Sequence, residues 1–268
     1  MIGSKFNSVR PAAVAGLFYS GERKSLSDEI EQLLGNVAAR PTAVPKALVA
    51  PHAGYVYSGP VAATAYALLA PARDVIKRVV LLGPTHRVAV RGLALPGVAR
   101  FATPLGAVEI DAQAVEQIVA LRQVIVSNDA HALEHSLEVH LPFLQTVLSE
   151  FKIVPLAVGD ARSDEVAEVL EALWGGSETL IVVSSDLSHY LTYREAKAID
   201  QATCEAILHL CTDLDHEQAC GATPVCGLTL AARRRGLRPE LLDLRNSGDT
   251  AGDKNRVVGY GAFAFYEP

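Results

Sequence analysis

The sequence predicts an α/β fold: a single domain with a largely parallel central sheet covered by helices on both faces. Three observations carry this. Five short apolar runs, residues 47–50, 79–82, 153–158, 180–183 and 241–244, have strand length and no polar alternation, which suits strands buried on both faces. Segments of helical pattern lie between most of them, and strand–helix alternation is the mark of parallel sheets. The residues are 50% hydrophobic and 20% charged, the balance of a packed globular protein.

The elements follow in order. A first helix is expected over residues 27–34, with Ser27 as its cap and Glu29 and Glu31 early, where the helix dipole favours acids. Residues 62–70, 112–120, 164–173, 194–208 and 226–235 read as further helices. The last ends in Arg233, Arg234 and Arg235 before Gly236, the cations and glycine that helix C-termini prefer. Residues 257–266 alternate with small residues and add one more strand. The Pro-rich stretch 40–45 joins a helix to a strand and separates no domains, so residues 1–268 read as one unit. A core of this size needs no disulfide or metal to fold.

Composition excludes several classes. A net charge of −6 argues against nucleic acid as a partner. No apolar run reaches membrane-spanning length, and residues 1–16 lack the pattern of a secretory leader. Cys204, Cys211, Cys220 and Cys226 form no C-x-x-C pair, so reduced thiols and a cytoplasmic location are expected. His209 and His216 lie among them at spacings that fit no zinc pattern. No G-x-G-x-x-G or G-x-x-x-x-G-K occurs, and the Gly-containing segment 246–253 carries Asp249 and Asp253, which repel phosphate, so no nucleotide cofactor is expected.

In parallel sheets ligands bind beyond the carboxyl ends of the strands. Three of the five runs are followed closely by a histidine: His52, His86 and His189, out of eight in the chain. His52 and His86 each follow a proline, which stiffens the turn that aims the imidazole. Two such imidazoles make half of a divalent metal site. Asp186 and His189 form D-x-x-H, in which the aspartate either orients a general base or caps the next segment. In residues 134–143 a helical reading puts His135 and Glu138 on one face and His140 on another. Glu138 then suits either a metal-bound histidine or a backbone cap. Cys220 and Cys226 are either buried structural thiols or a reactive thiol near the pocket. A serine hydrolase using Ser184 or Ser185 lacks the G-x-S-x-G elbow.

The motifs A-P-H-A-G-Y (50–55) with Tyr57 and Gly59, L-G-P-T-H (82–86), E-H-S-L-E-V-H-L-P-F (134–143), V-S-S-D-L-S-H-Y (183–190), S-G-D-T-A-G-D (247–253) and V-G-Y-G-A (258–262) resemble the Memo family. Its bacterial and archaeal branch is the AmmeMemoRadiSam system protein B group. The resemblance starts at Ala15-Gly16-Leu17-Phe18-Tyr19 and runs almost end to end. It implies a fold like that of the class III extradiol ring-cleaving dioxygenases and a divalent metal, iron first, with copper or zinc as alternatives. It assigns His52 and His86 as metal ligands, His189 as an acid–base group with Asp186 beside it, and Phe18, Tyr19 and Tyr57 as pocket lining. Animal members carry a cysteine as third ligand on the closing loop, and the resemblance places Thr250 there, with Asp249 adjacent. Threonine is a poor ligand, so Asp249, His189 or a water is expected to complete the set. The functions implied are a metal-dependent, oxidative enzyme acting on a small molecule, or a non-catalytic binding or scaffold protein that keeps the pocket and takes a small molecule or peptide. A radical-SAM protein and a companion-domain protein are the partners the resemblance suggests.

Overall fold

A computed structural model describes residues 8–38 and 43–268. Residues 1–7 of the expected leaderless start and residues 40–42 of the Pro-rich connection lie outside the described residues.

The elements run β1 (Val9–Arg10), α1 (Arg23–Gly35), β2 (Ala47–Ala50), α2 (Tyr55–Tyr66), β3 (Arg78–Pro84), β4 (Leu93–Leu95), β5 (Arg100–Thr103), β6 (Gly106–Ile110), α3 (Ala112–Ile118), β7 (Val124–Val126) and α4 (Asn128–Ala132). The second half adds α5 (Leu141–Val147), β8 (Lys152–Val158), α6 (Ser163–Ala172), β9 (Thr179–Ser184), β10 (His189–Leu191), α7 (Tyr193–Leu208), α8 (Ala222–Arg235), β11 (Arg238–Asn246), α9 (Ser247–Thr250) and β12 (Val257–Tyr266). Short 3₁₀ turns follow α2 and precede α5.

The twelve strands share one sheet, ordered β1-β5-β6-β8-β3-β9-β2-β12-β10, with β11 on β12 and β4 between β8 and β7. The centre, β8-β3-β9-β2, is parallel throughout. Its strands are the runs that lacked alternation, and nearly every residue in them is buried. Successive residues serve opposite cores: Leu48, Leu81 and Val182 pack under α1, α2 and α5, whereas Val49, Leu82 and Val183 pack under α6, α7 and α8. Helices therefore cover both faces.

Four boundaries differ from expectation. Helix α1 begins at Arg23 with Glu22 at its cap, so Ser27, Glu29 and Glu31 lie within the helix and not at its start. Helix α2 begins at Tyr55, seven residues before the expected start at 62. Pro60, which ordinarily ends a helix, sits inside it and hides the pattern. Helix α8 begins at Ala222, not Cys226. Residues 241–244 form no parallel strand. They belong to β11, which pairs antiparallel with β12, and their partial exposure explains the apolar run as a packing face.

The register sets the site. Ala50 aligns with Ser184, Leu82 with Val183 and Pro84 with Val158, so β2, β3, β8 and β9 end along one edge. The connections after them converge there, joined by β10, which pairs with the start of β12.

Candidate metal centre

His52 leaves the end of β2, with its backbone N–H donating to Asp186 Oδ1 at 2.7 Å. Its ring Nδ1 lies 2.6 Å from Ser184 Oγ. Ser184 donates its one hydroxyl proton to the Ser136 carbonyl at 2.6 Å. The oxygen can then only accept from His52, so Nδ1 carries the proton and Nε2 keeps its lone pair. Burial, reinforced by the neighbouring His86 and His135, holds the pKa of His52 well below its ordinary value, so the ring is neutral.

His86 is fixed in the same way by a different group. Glu134 Oε2 accepts its backbone N–H at 2.6 Å and Oε1 accepts its Nδ1–H at 2.9 Å. Glu134 Oε1 also takes the backbone N–H of His135 at 2.9 Å and of Ser136 at 3.0 Å. Burial works to raise the Glu134 pKa, but the bonds from His86 and Ser136 outweigh it and hold the carboxyl at about 2. As a carboxylate it accepts only, so His86 Nδ1 carries the proton and Nε2 is the ring atom left to face the site. The two rings stand edge to face with centroids 5.2 Å apart.

Cys220 supplies a third donor from the residues before α8. Its Sγ lies 3.4 Å from His52 Nε2. It is clamped to the 186 backbone twice: Cys220 N–H donates to the Asp186 carbonyl at 3.2 Å, and Asp186 N–H donates to Cys220 Sγ at 3.3 Å. The approach requires Gly221, where a Cβ would come within 2.5 Å of the Ser184 carbonyl. Burial, then the Asp186 carboxylate, push the thiol pKa well up. Donor atoms of His52, His86 and Cys220 all lie within 4.8 Å of one another. Two imidazole Nε2 atoms whose Nδ1 partners are held elsewhere, and a thiol that a cation would convert to thiolate, fit a divalent transition metal.

The other expected residues divide. His135 stacks on His86 at 4.6 Å and stands 5.4 Å from His52, with Phe18 against its other side at 4.7 Å. Its donor atoms also group with those of His86 and Glu134. Burial lowers its pKa to about 4. His189 donates Nδ1–H to the Leu187 carbonyl at 2.8 Å, and burial lowers its pKa. The next residue, Tyr190, holds φ at 60°, a strained conformation for a bulky side chain, and Arg256 lies over its ring. Tyr57 is partly exposed at the start of α2.

Four expectations are corrected. Asp186 does not orient His189; it holds the His52 backbone, and its second oxygen lies 3.9 Å from His52 Nε2. Burial raises its pKa to about 7. Glu138 partners no ligand histidine. It is fully buried and accepts from Arg10, from Ala13 N–H at 2.7 Å, from Val14 N–H at 3.0 Å and from Tyr19 OH at 2.6 Å, so Glu138 and Tyr19 anchor the N-terminal segment. His140 is buried against Tyr66 OH at 2.7 Å. Asp249 and Thr250 are bonded elsewhere: Asp249 accepts from Tyr193 OH at 2.6 Å, and Thr250 donates to the Ser247 carbonyl at 3.3 Å. Helix α9 turns both groups toward its own cap and α7, and the residue grouped with His52 and His86 is Cys220. Glu134, Ser184 and Cys220 are the site residues that reasoning from sequence did not assign.

Fold and site together define an α/β protein with a two-histidine, one-cysteine cluster at the carboxyl edge of a parallel sheet. The chain matches the family described as Memo-like protein over residues 10–264. It is 35% identical to a MEMO1 family protein of Aquifex aeolicus, covering 94% of this chain and 97% of that one. It is 36% identical to one from Methanosarcina barkeri, covering 95% and 98%. A crystal structure of an uncharacterized Escherichia coli K12 protein matches with a TM-score of 0.48 at 15% identity, covering 80% of this chain and 98% of that one. The chain belongs to the Memo family.

Proposed function

We propose that the chain binds one divalent transition-metal ion through His52 Nε2, His86 Nε2 and Cys220 Sγ, and that it carries out oxidative chemistry on a small molecule there. The supporting observation is the fixing of both tautomers: Ser184 and Glu134 accept the Nδ1 protons, which leaves both Nε2 atoms free toward the thiol. Three protein donors leave a coordination position open, the pattern of catalytic centres. Iron suits the set, with copper or zinc as alternatives. A bound ion would supply a Lewis acid and, as iron or copper, a redox-active centre. The chain supplies proton handling and shape. His189 has its Nδ1 proton held by the Leu187 carbonyl, so its Nε2 is the basic atom and serves as the acid–base group. Phe18 packs on His135 and shields that side from water.

A scaffold that keeps the pocket without the chemistry is the alternative; the grouping of Cys220 with His52 and His86 supports the metal reading over it. Purified without chelators and supplied with iron, copper or zinc, the protein is expected to hold about one metal ion per chain. His52→Ala, His86→Ala and Cys220→Ser are expected to lose most of it. Equal, near-zero metal in all four proteins would overturn the proposal.

A further inference from the structure

His86 and Cys220 do not face a closed interior. They form the floor of a cavity of about 610 Å³ that opens between the β3–β4 connection and the segment after β8. Its walls include Val90 and Val158, which are apolar, and His216 stands beside Cys220 with its Nδ1 donating to the Cys220 carbonyl at 3.3 Å. Among the described residues that line it, Asp160 is the only Asp, Glu, Lys or Arg. Arg87 and Arg91 leave from the same β3–β4 connection and are not part of the lining.

Asp160 is also placed rigidly. Its backbone N–H donates to the Val90 carbonyl at 2.7 Å and its carbonyl accepts from Gly92 N–H at 2.8 Å. At Gly159 a Cβ would come within 2.1 Å of the Val90 carbonyl, so the backbone here tolerates no side chain and the 159–160 segment is pinned to the connection. The Asp160 side chain is exposed, and among the described residues its carboxylate has no hydrogen bond or ion pair. A carboxylate without a partner, on a pinned backbone and in a cavity lined by no other Asp, Glu, Lys or Arg, selects charge in whatever enters.

We propose that the ligand of this site enters through this cavity and is a small molecule bearing a cationic group, an ammonium or guanidinium, which Asp160 receives while the rest reaches the floor at His86 and Cys220. The proposal rests on the same site as the metal reading but not on a metal being present, so the two fail separately.

The test uses Cys220 as a reporter in the metal-free full-length protein. Three methanethiosulfonates of similar reach are compared: one with a trimethylammonium group, one neutral and one with a sulfonate. Modification of Cys220 is followed by peptide mass spectrometry, with each rate normalised to that reagent's rate on a small free thiol. The cationic reagent is expected to react about threefold faster than the neutral one and the anionic about threefold slower, the scale of a partly solvated charge pair. Asp160→Asn is expected to bring the three rates together, and raised salt to do the same in the parent protein. Equal rates in the parent, an order that survives Asp160→Asn, or a Cys220 that reacts with none of the three would overturn the proposal. Metal content of the His52, His86 and Cys220 variants answers the other question independently.

Discussion

Glu134 and Glu138 lie four residues apart, both buried carboxylates, and they do different work. The Glu134 carboxylate bonds only to groups at the site, His86 twice and then the amides of His135 and Ser136, while its backbone carbonyl takes Arg10 at 2.6 Å. Glu138 reaches across the chain to Arg10, Ala13, Val14 and Tyr19 and bonds to no ligand histidine. One carboxylate sets the tautomer of an imidazole; the other fastens the N-terminal segment that brings Phe18 onto His135. The contrast separates what holds the protein together from what makes the site able to bind. Arg10 is the one side chain that touches both, so the substitutions below test how far each region breaks without the other.

The largest effect is expected on the Glu138 side. Glu138→Ala leaves the Arg10 guanidinium buried without its carboxylate, and losses of about 3–5 kcal/mol are usual for such a break. Urea unfolding should show it as a lowered midpoint, while metal content per folded chain stays near that of the parent. A midpoint unchanged within error would mean that Glu138 does not anchor the segment.

Acid should act on the same side. His131, whose carbonyl takes Arg10 Nε–H, has its pKa lowered to about 4 by burial, and His140 to about 3 for the same reason. An unfolded chain protonates both below their ordinary value of 6.5, whereas the folded chain stays neutral until far lower pH. The contribution of these two histidines is therefore complete above about pH 7 and falls steadily as pH drops from 6.5 towards 3. By pH 5 their loss is on the order of 2 kcal/mol for each histidine. Asp186, raised to about 7 by burial, and Asp200, raised to about 6, act in the opposite sense over the same range. Thermal melts of the metal-free protein and of His131→Gln at pH 7.5, 6 and 5 isolate the histidine: the parent should lose more stability than the variant between pH 7.5 and 5, and an equal change in both would contradict it.

On the Glu134 side the expected effects are smaller in stability and read out in metal affinity. Glu134→Gln removes the carboxylate from His86 Nδ1 and should weaken metal binding about 10- to 100-fold. Ser184→Ala removes a neutral acceptor from His52 Nδ1, worth about 1 kcal/mol or roughly fivefold. Competition with a chromophoric chelator orders the two. If Ser184→Ala costs more than Glu134→Gln, the carboxylate is not the stronger support.

The parallel centre of the sheet was legible because β2, β3, β8 and β9 are buried on both faces and their polar residues, Arg78, Lys152, Thr179 and Ser184, stand only at strand ends, where they do not interrupt the apolar runs. His52 and His86 were legible for the same reason, since strand ends are where such sheets place ligands. Residues 241–244 misled because an apolar run on a margin strand resembles one at the centre; only pairing with β12 tells them apart. Glu134 was hidden by its neighbour, because a helical reading of residues 134–143 favours Glu138, whereas residues 133–137 form no α-helix and deliver Glu134 to His86. The Asp186–His189 pair failed because the aspartate turns back to the amide of His52 and the histidine to a carbonyl two residues away. Cys220 follows no strand, and nothing in C-G-A-T-P states that Gly221 lets it press against the end of β9.

That last residue makes the smallest effect informative. The family resemblance puts a ligand position at Thr250, whereas the proposal takes Cys220, which the geometry groups with His52 and His86. Thr250 keeps its hydroxyl on the Ser247 carbonyl within α9, so Thr250→Val removes one partly exposed hydrogen bond, a change of about 1 kcal/mol or less in stability. Metal content and affinity should not move. Cys220→Ser, nearly isosteric, replaces a soft thiolate donor by a hydroxyl that coordinates poorly, and metal should be lost while the fold stays intact. Measured side by side, the two substitutions decide which residue is the third donor. Metal lost from Thr250→Val and kept by Cys220→Ser would return the ligand position to the closing loop and require α9 to rearrange when the metal binds.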